Sequence, residues 1–247
     1  MEFSIELVNA PGAIAEVASI LSKHNVNILT GFHHAEECYR WGFFADVTEI
    51  KSSIDDIVKE ISSLAITRKV SVSNVISEGV IVDTLHRELF WGPFRMIIMR
   101  AEVMVAILNR IKGIFGVEGK AGKALAFGMG EAAGRTFYKG LVSHMNADVL
   151  KSQIDHVIEL FGANGWGDFK VTSFDLSGMA ASVTMLNGFE CANRPGSSSS
   201  SSSCDFVRGH LAGVFSEMFG KRMDVTETLC VDLGHCKCQF DVSGAKQ

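Results

Sequence analysis

The chain carries no apolar run long enough to cross a bilayer, which takes about 20 apolar residues, and it has no excess of positive charge. Its formal net charge is -5 over 247 residues, so no overall attraction to nucleic acid or anionic lipid is expected. The opening Met1-Glu2-Phe3-Ser4-Ile5-Glu6 has neither the basic start nor the apolar core of a secretion signal, which predicts a cytoplasmic protein. The paired Cys-x-x-Cys spacing of common zinc modules is missing. No Ser-His-Asp or Cys-His set stands out, and there is no nicotinamide or flavin fingerprint. Gly128-Met129-Gly130 tempts a dinucleotide reading, but Gly134 falls one residue late and no strand leads directly into the run. A non-enzymatic protein is therefore favoured over an enzyme.

What is present is a full core. The chain is 47% hydrophobic and 21% charged, as for a soluble globular protein of one large or two modest domains. In a reducing compartment its six cysteines point to thiols or a metal more than to disulfides. Four of them, Cys204, Cys230, Cys236 and Cys238, lie in the last fifth of the chain, with Glu227 three residues before Cys230. Thiolate sulfur and carboxylate oxygen are both zinc ligands, and four of them close a tetrahedron. Residues 223–231 read as a strand, Leu233-Gly234-His235 as a turn and 236–242 as the return strand. Cys236 and Cys238 then share a face, which makes Cys236 a spare ligand able to replace Glu227. The alternative is a set of ordinary buried thiols.

Cys204-Asp205-Phe206-Val207-Arg208-Gly209, Glu227-Thr228-Leu229-Cys230, Gly234 and Cys238-Gln239-Phe240 together resemble the C-terminal signature of the 4-vinyl reductase domain family. That family includes sensor domains of phenol-responsive transcription activators and a protein implicated in bacteriochlorophyll synthesis. The resemblance runs from about Phe94 to Val242. It implies a zinc ion held by Cys204, Glu227, Cys230 and Cys238. Four protein ligands leave no open position, so the zinc would be structural. It also implies an apolar pocket for a small hydrophobic or aromatic ligand, for which His156, Trp166, Phe189, Met179 and Met185 are candidates. The ATPase and DNA-binding domains of the phenol activators are not found in this sequence, so any output is expected to pass through a separate partner.

The first 76 residues read differently. Phe3, Ile5 and Leu7 alternate with Glu2, Ser4 and Glu6, as in a half-buried strand. Asn9-Ala10-Pro11-Gly12 is a turn, and Ile14, Val17, Ala18 and Leu21 follow helical spacing. Further strands are read at 26–32, 40–47 and 69–75, with a helix around Ile54, Ile57, Val58 and Ile61. The β-α-β-β-α-β order is that of a ferredoxin-like plait. With Asn9-Ala10-Pro11-Gly12-Ala13-Ile14-Ala15 at the first turn and Asn25-Val26-Asn27-Ile28 after the helix, it is similar to an ACT domain. The resemblance implies an amino-acid-like effector at Asn9, Pro11, Gly12 and Ala13, and a homodimer. His33, His34, Glu36, Glu37 and Cys38 read as a solvated hairpin loop.

Residues 77–92 read as a linker, too apolar for a loose tether, packed as a short helix or extended arm. A strand at 95–100 and a helix bearing Val103, Ile107, Leu108 and Ile111 follow. The long helix 124–142 contains Gly128, Gly130, Gly134 and Gly140, which points to close packing of a neighbouring helix or a partner subunit, since glycine costs helix stability. Arg135 there reads as solvated or ion-paired. A helix at 149–161 and a hairpin of 169–175 with 181–186 lead to Ser197–Ser203, seven serines with nothing apolar to bury, read as a mobile connector. Cys204 then opens a helix whose positive dipole end favours a thiolate.

The expected fold is α+β: an N-terminal ACT plait (1–76), a linker (77–92) and a sensor domain with a zinc-stapled hairpin (93–247). The expected function is a zinc-stabilised, dimeric small-molecule sensor. The alternatives are an enzyme or assembly factor acting on vinyl-bearing tetrapyrroles, and a protein-interaction adaptor.

Overall fold

Alternating apolar residues and one helical stripe after another build the first of two units, Met1–Ile98 and Met99–Gln247. The computed structural model describes residues 1–35, 39–74, 76–77, 80–85, 89–91, 93–114, 120–191 and 204–245. In the first unit β1 (Glu2–Leu7), α1 (Ala13–Lys23), β2 (Asn27–Ala35), β3 (Tyr39–Asp46), α2 (Ile54–Ser62) and β4 (Thr67–Ser73) follow one another. The sheet order is β2-β3-β1-β4, with antiparallel neighbours throughout. Phe3, Ile5 and Leu7 of β1 are fully buried with Val17 and Leu21 of α1 and Ile57 and Ile61 of α2. Ser53 caps α2 by accepting from the Asp56 N–H, as a helix N-terminus requires.

The polar face expected for β1 is covered too, since Glu2 and Ser4 are buried. The Glu2 carboxylate accepts from the Thr84 N–H (3.0 Å), the Thr84 hydroxyl (3.2 Å) and the Leu85 N–H (3.1 Å). These bonds satisfy a group that would be costly to bury alone. They tie the chain after β4 to the first unit as an extended arm. That arm holds β5 (Ile76–Ser77) paired with β6 (Val80–Ile81), and β7 (Leu89–Trp91) paired with β8 (Phe94–Met96). The strand expected at 95–100 is thus the short return strand of a hairpin in the first unit.

The second unit holds α3 (Ala101–Gly113), α4 (Lys120–Val142), α5 (Ala147–Ser152), α6 (Ile154–Ala163), β9 (Asp168–Asp175), β10 (Ala180–Leu186), α7 (Asp205–Phe219), β11 (Met223–Leu229) and β12 (Cys238–Gly244). Its antiparallel sheet runs β11-β12-β10-β9. Two expectations fail locally. The helix at 149–161 is broken at Gln153, whose φ of -119° and ψ of 40° are not helical. In α3 the buried residues are Val105 and Leu108, while Val103 and Ile107 are exposed. The serine run lies outside the described residues, as do Glu36, Glu37, Cys38 and the side chains of His33 and His34.

α7 is buried around nearly its whole circumference, from Phe206 and Val207 to Phe215 and Met218, which marks a central helix. It meets α4 through two reciprocal glycine pairs. A Cβ on Gly130 or Gly134 would overlap the carbonyls of Phe206 or His210, and one on Gly209 or Gly213 those of Phe127 or Glu131. The helix glycines therefore serve a neighbouring helix. Arg135 donates to Glu131 and Glu217, both at 2.8 Å, and is ion-paired. No described helix is long and apolar enough to cross a membrane.

Candidate functional site

Three elements bring the sulfurs together. Cys204 is the N-cap residue of α7. On β11, Met223 and Val225 are buried and Glu227 follows at the next inward position, with a register shift between Glu227 and Leu229 that carries the chain on to Cys230. Cys238 opens β12 and faces inward with Phe240 and Val242. One ligand atom from each of Cys204, Glu227, Cys230 and Cys238 lies within 4.8 Å of all the others. Gly234, with φ of 88°, closes the turn in a conformation that favours glycine. His235 Nδ1 accepts from the Cys230 N–H at 3.3 Å, and the Val231 N–H points at Cys238 Sγ at 3.4 Å.

These residues fit a divalent metal ion. Sulfurs at 2.3 Å from a tetrahedral zinc are about 3.8 Å apart, and Cys204 Sγ lies 3.7 Å from Cys238 Sγ. Both Glu227 oxygens are buried and without a nitrogen or oxygen partner among the described residues. They meet the thiols of Cys230, Cys204 and Cys238 instead, and burial pushes the carboxyl up to about 8. A cation is what such a carboxylate needs if it is to stay ionised. Thiolate-rich sets select zinc and other soft ions.

Cys236 is exposed and not in the cluster. The return strand begins at Cys238, so Cys236 is not held on a strand face with it. Its place as extra thiol is taken by Cys191, which is buried (4% exposed) with its Sγ 3.5 Å from Cys238 Sγ. Contacts with Cys204 and then Cys238 lower the Cys191 pKa, while contacts with Cys191, Cys230 and Cys238 raise that of Cys204. Next to it, Glu190 accepts from the Phe206 N–H (3.1 Å), the Val207 N–H (3.0 Å) and Lys112 Nζ (2.8 Å). Glu190 thereby caps the N-terminus of α7. Sequence reasoning missed both residues. The available signal was that Cys191 and Cys204 bracket the serine run.

A second cluster surrounds His210 of α7, which is 3% exposed. Its ring lies 4.6 Å from Trp166, 4.8 Å from Phe161 and 5.6 Å from Phe137. Trp166 also meets Phe206 and Phe189, both at 5.7 Å, and the Phe189 N–H donates to the Trp166 carbonyl at 3.0 Å. Neither ring nitrogen of His210 has a partner among the described residues. Burial pushes the imidazole down to about 3, so it is neutral, with one donor and one acceptor.

Of the expected ligand contacts, Trp166 and Phe189 are thus brought together. His156 is exposed on α6, and the histidine among the rings is His210, legible only as a polar residue on a helix apolar all round. Met185 is buried and Met179 half-buried. In the first unit Asn9 and Pro11 are exposed, Gly12 has φ of 89° and Ala13 is buried at the start of α1.

Residues 183–243, from inside β10 to the end of β12, match the model of the 4-vinyl reductase domain family. No curated protein matches the chain. Among solved structures, the phenol-responsive sensory domain of the transcription activator PoxR with phenol is similar at 15% identity, covering 66% of this chain and 84% of that one, with a TM-score of 0.52. A vinyl-4-reductase family protein from Methanocaldococcus jannaschii gives 20% identity, 59% and 78% coverage and a TM-score of 0.38. A trafficking protein particle complex subunit 3 from Naegleria fowleri, covalently bound to palmitic acid, gives 10% identity, 59% and 95% coverage and a TM-score of 0.42. The C-terminal region thus carries a 4-vinyl reductase domain match on a mixed α+β fold like that of the PoxR domain.

Proposed function

We propose that the protein is a non-enzymatic small-molecule sensor whose second unit binds a small aromatic ligand beside His210. The observation that carries this reading is the buried, unpartnered imidazole of His210 within the ring cluster of Phe137, Phe161 and Trp166. Leaving both nitrogens unpaired costs stability, and a ligand that offers a hydroxyl to them recovers it. A neutral imidazole suits a neutral phenolic hydroxyl, and the rings suit its face. The phenol held by the PoxR domain is the natural first probe.

In this reading Cys204, Glu227, Cys230 and Cys238 hold a zinc ion. With all four positions taken by protein, the ion supplies no catalysis and staples α7 to β11 and β12. The first unit serves as an ACT module, with Asn9, Pro11, Gly12 and Ala13 facing an amino-acid-like effector and the chain forming a cytoplasmic homodimer. The sequence order and the sheet order of that unit support it.

Calorimetric titration of the zinc-loaded protein with phenol tests the sensor. Saturable binding of one phenol per chain, weakened about tenfold by His210→Leu through the lost hydrogen bond, is expected. Absence of binding to phenol and its simple alkyl derivatives overturns it.

A further inference from the structure

We infer that Cys191 is a fifth protein donor of the metal centre, a reserve thiolate that takes the place of Glu227. The inference rests on the metal reading of the thiol cluster. Its first support is distance. Cys191 Sγ stands 3.5 Å from Cys238 Sγ and Cys204 Sγ stands 3.7 Å from the same sulfur, both close to the edge of about 3.8 Å that a tetrahedral thiolate set has around zinc. An ion bound to Cys238 therefore has Cys191 within reach in the same way as Cys204.

The second support is placement. Residues 188–191 are held on three sides: the Phe189 N–H bonds the Trp166 carbonyl, the Cys191 N–H bonds the Gly188 carbonyl at 3.2 Å, and Glu190 is fixed between Lys112 and the first N–H groups of α7. The thiol is thus presented by a braced backbone.

The third support identifies the donor that gives way. Cys238 is steadied by the Val231 N–H, and Cys230 belongs to the turn closed by His235. The Glu227 oxygens have no nitrogen or oxygen partner among the described residues. Nothing but the centre itself holds that carboxylate. The exchange conserves charge, since one anionic donor replaces another. A sulfur–metal bond replaces an oxygen–metal bond, the thiol proton passes to the departing carboxylate, and no electrons are transferred.

The test compares four full-length proteins: wild type, Glu227→Gln, Cys191→Ser and the double variant. Each is loaded with zinc or cobalt and challenged with a competing chelator, and the thiolate-to-cobalt charge-transfer band is recorded. Wild type and Cys191→Ser are expected to hold one ion with three thiolates. Glu227→Gln is expected to keep the ion with a charge-transfer intensity per cobalt about one third higher, for four thiolates against three. The double variant is expected to bind at least about tenfold more weakly than either single one. Equal weakening of Glu227→Gln and the double variant, with no gain in cobalt intensity, overturns the inference while the centre stands. Wild type that holds neither zinc nor cobalt removes the centre itself, and the reserve donor with it. Should Glu227→Gln fold poorly, Glu227→Ala is read in the same two ways.

Discussion

Glu2 and His24 in the first unit, and Glu227 and His210 in the second, are polar groups withdrawn from water, yet they are treated differently. Glu2 receives three hydrogen bonds from Thr84 and Leu85. His24 is bonded through one nitrogen to Ser52 at 2.9 Å and through the other to Glu60 at 2.7 Å. Glu227 and His210 have no such partners among the described residues. Even within the second unit, Glu190 contrasts with Glu227: it is the more deeply withdrawn carboxylate and has its donors in place. In the first unit the described exception is only the hydroxyl of Thr67. Buried polar groups are nearly always paired, so each unpaired one needs a reason. Here the reasons converge on one unit: a cation for Glu227 and a ligand for His210.

Removing the cation is expected to break this contrast most violently. Structural zinc contributes folding free energy on the order of 10 kcal/mol in small modules. Cys230→Ser, or chelation of the wild type, should therefore unfold the second unit and leave the first standing. Circular dichroism with metal analysis checks it: two separate transitions collapsing to one. A folded second unit in metal-free Cys230→Ser would show that Glu227 is satisfied some other way.

The two glutamates can next be set against each other. Glu190→Ala leaves Lys112 buried without its partner and two N–H groups of α7 orphaned, which should cost about 3–5 kcal/mol. Lys23 and Glu60 form an ion pair with Lys23 well exposed, and Lys23→Ala should cost less than about 1 kcal/mol. Urea denaturation of both variants gives the ratio. Similar losses would mean that Glu190 is no more than a surface residue in solution.

His210 gives a gentler, pH-dependent difference. Its native pKa is pushed down to about 3 from an ordinary 6.5. Between those values the unfolded chain binds a proton that the folded chain does not. Stability therefore falls as pH drops from 6.5 towards 3, by up to about 1.4 kcal/mol per pH unit. His210→Leu should be as stable as wild type or more so at pH 7, and should lose this share of the acid sensitivity. Denaturation series at pH 7, 6 and 5 decide it. Identical slopes would place a titrating partner beside the imidazole.

How much of this the sequence disclosed depends on how local each feature is. The quartet Cys204, Glu227, Cys230 and Cys238 could be read because three of its members sit on one hairpin, where spacing translates into position. The β-α-β-β-α-β order could be read because alternation and helical stripes are local signals. The ring cluster could not. Phe137, Phe161, Trp166, Phe189 and His210 come from separate helices and loops, and nothing in their spacing says that they converge. His156 looked the more unusual histidine because it sits on a half-apolar helix, but its side of α6 is exposed. Cys236 looked a better donor than Cys191 because it is near Cys238 in sequence, whereas the turn, not the strand, holds it. Glu2 shows the same limit, since the arm that covers it arrives 82 residues later.

The smallest effect concerns the serines between the two cysteines. Cys191 and Cys204 both approach Cys238, at 3.5 and 3.7 Å, so the ends of the 12 residues from 192 to 203 are pinned on the same cluster. The run Ser197–Ser203 has no apolar side chain to lose, and shortening it acts only through loop closure. Removing four serines takes 12 residues to eight, and the logarithmic dependence gives a gain of only about 0.4 kcal/mol. Thermal melting should therefore shift upward slightly or not at all. A clear loss would mean that the serines make contacts of their own, and that the approach of Cys191 to the centre depends on them rather than on Glu190 and Phe189.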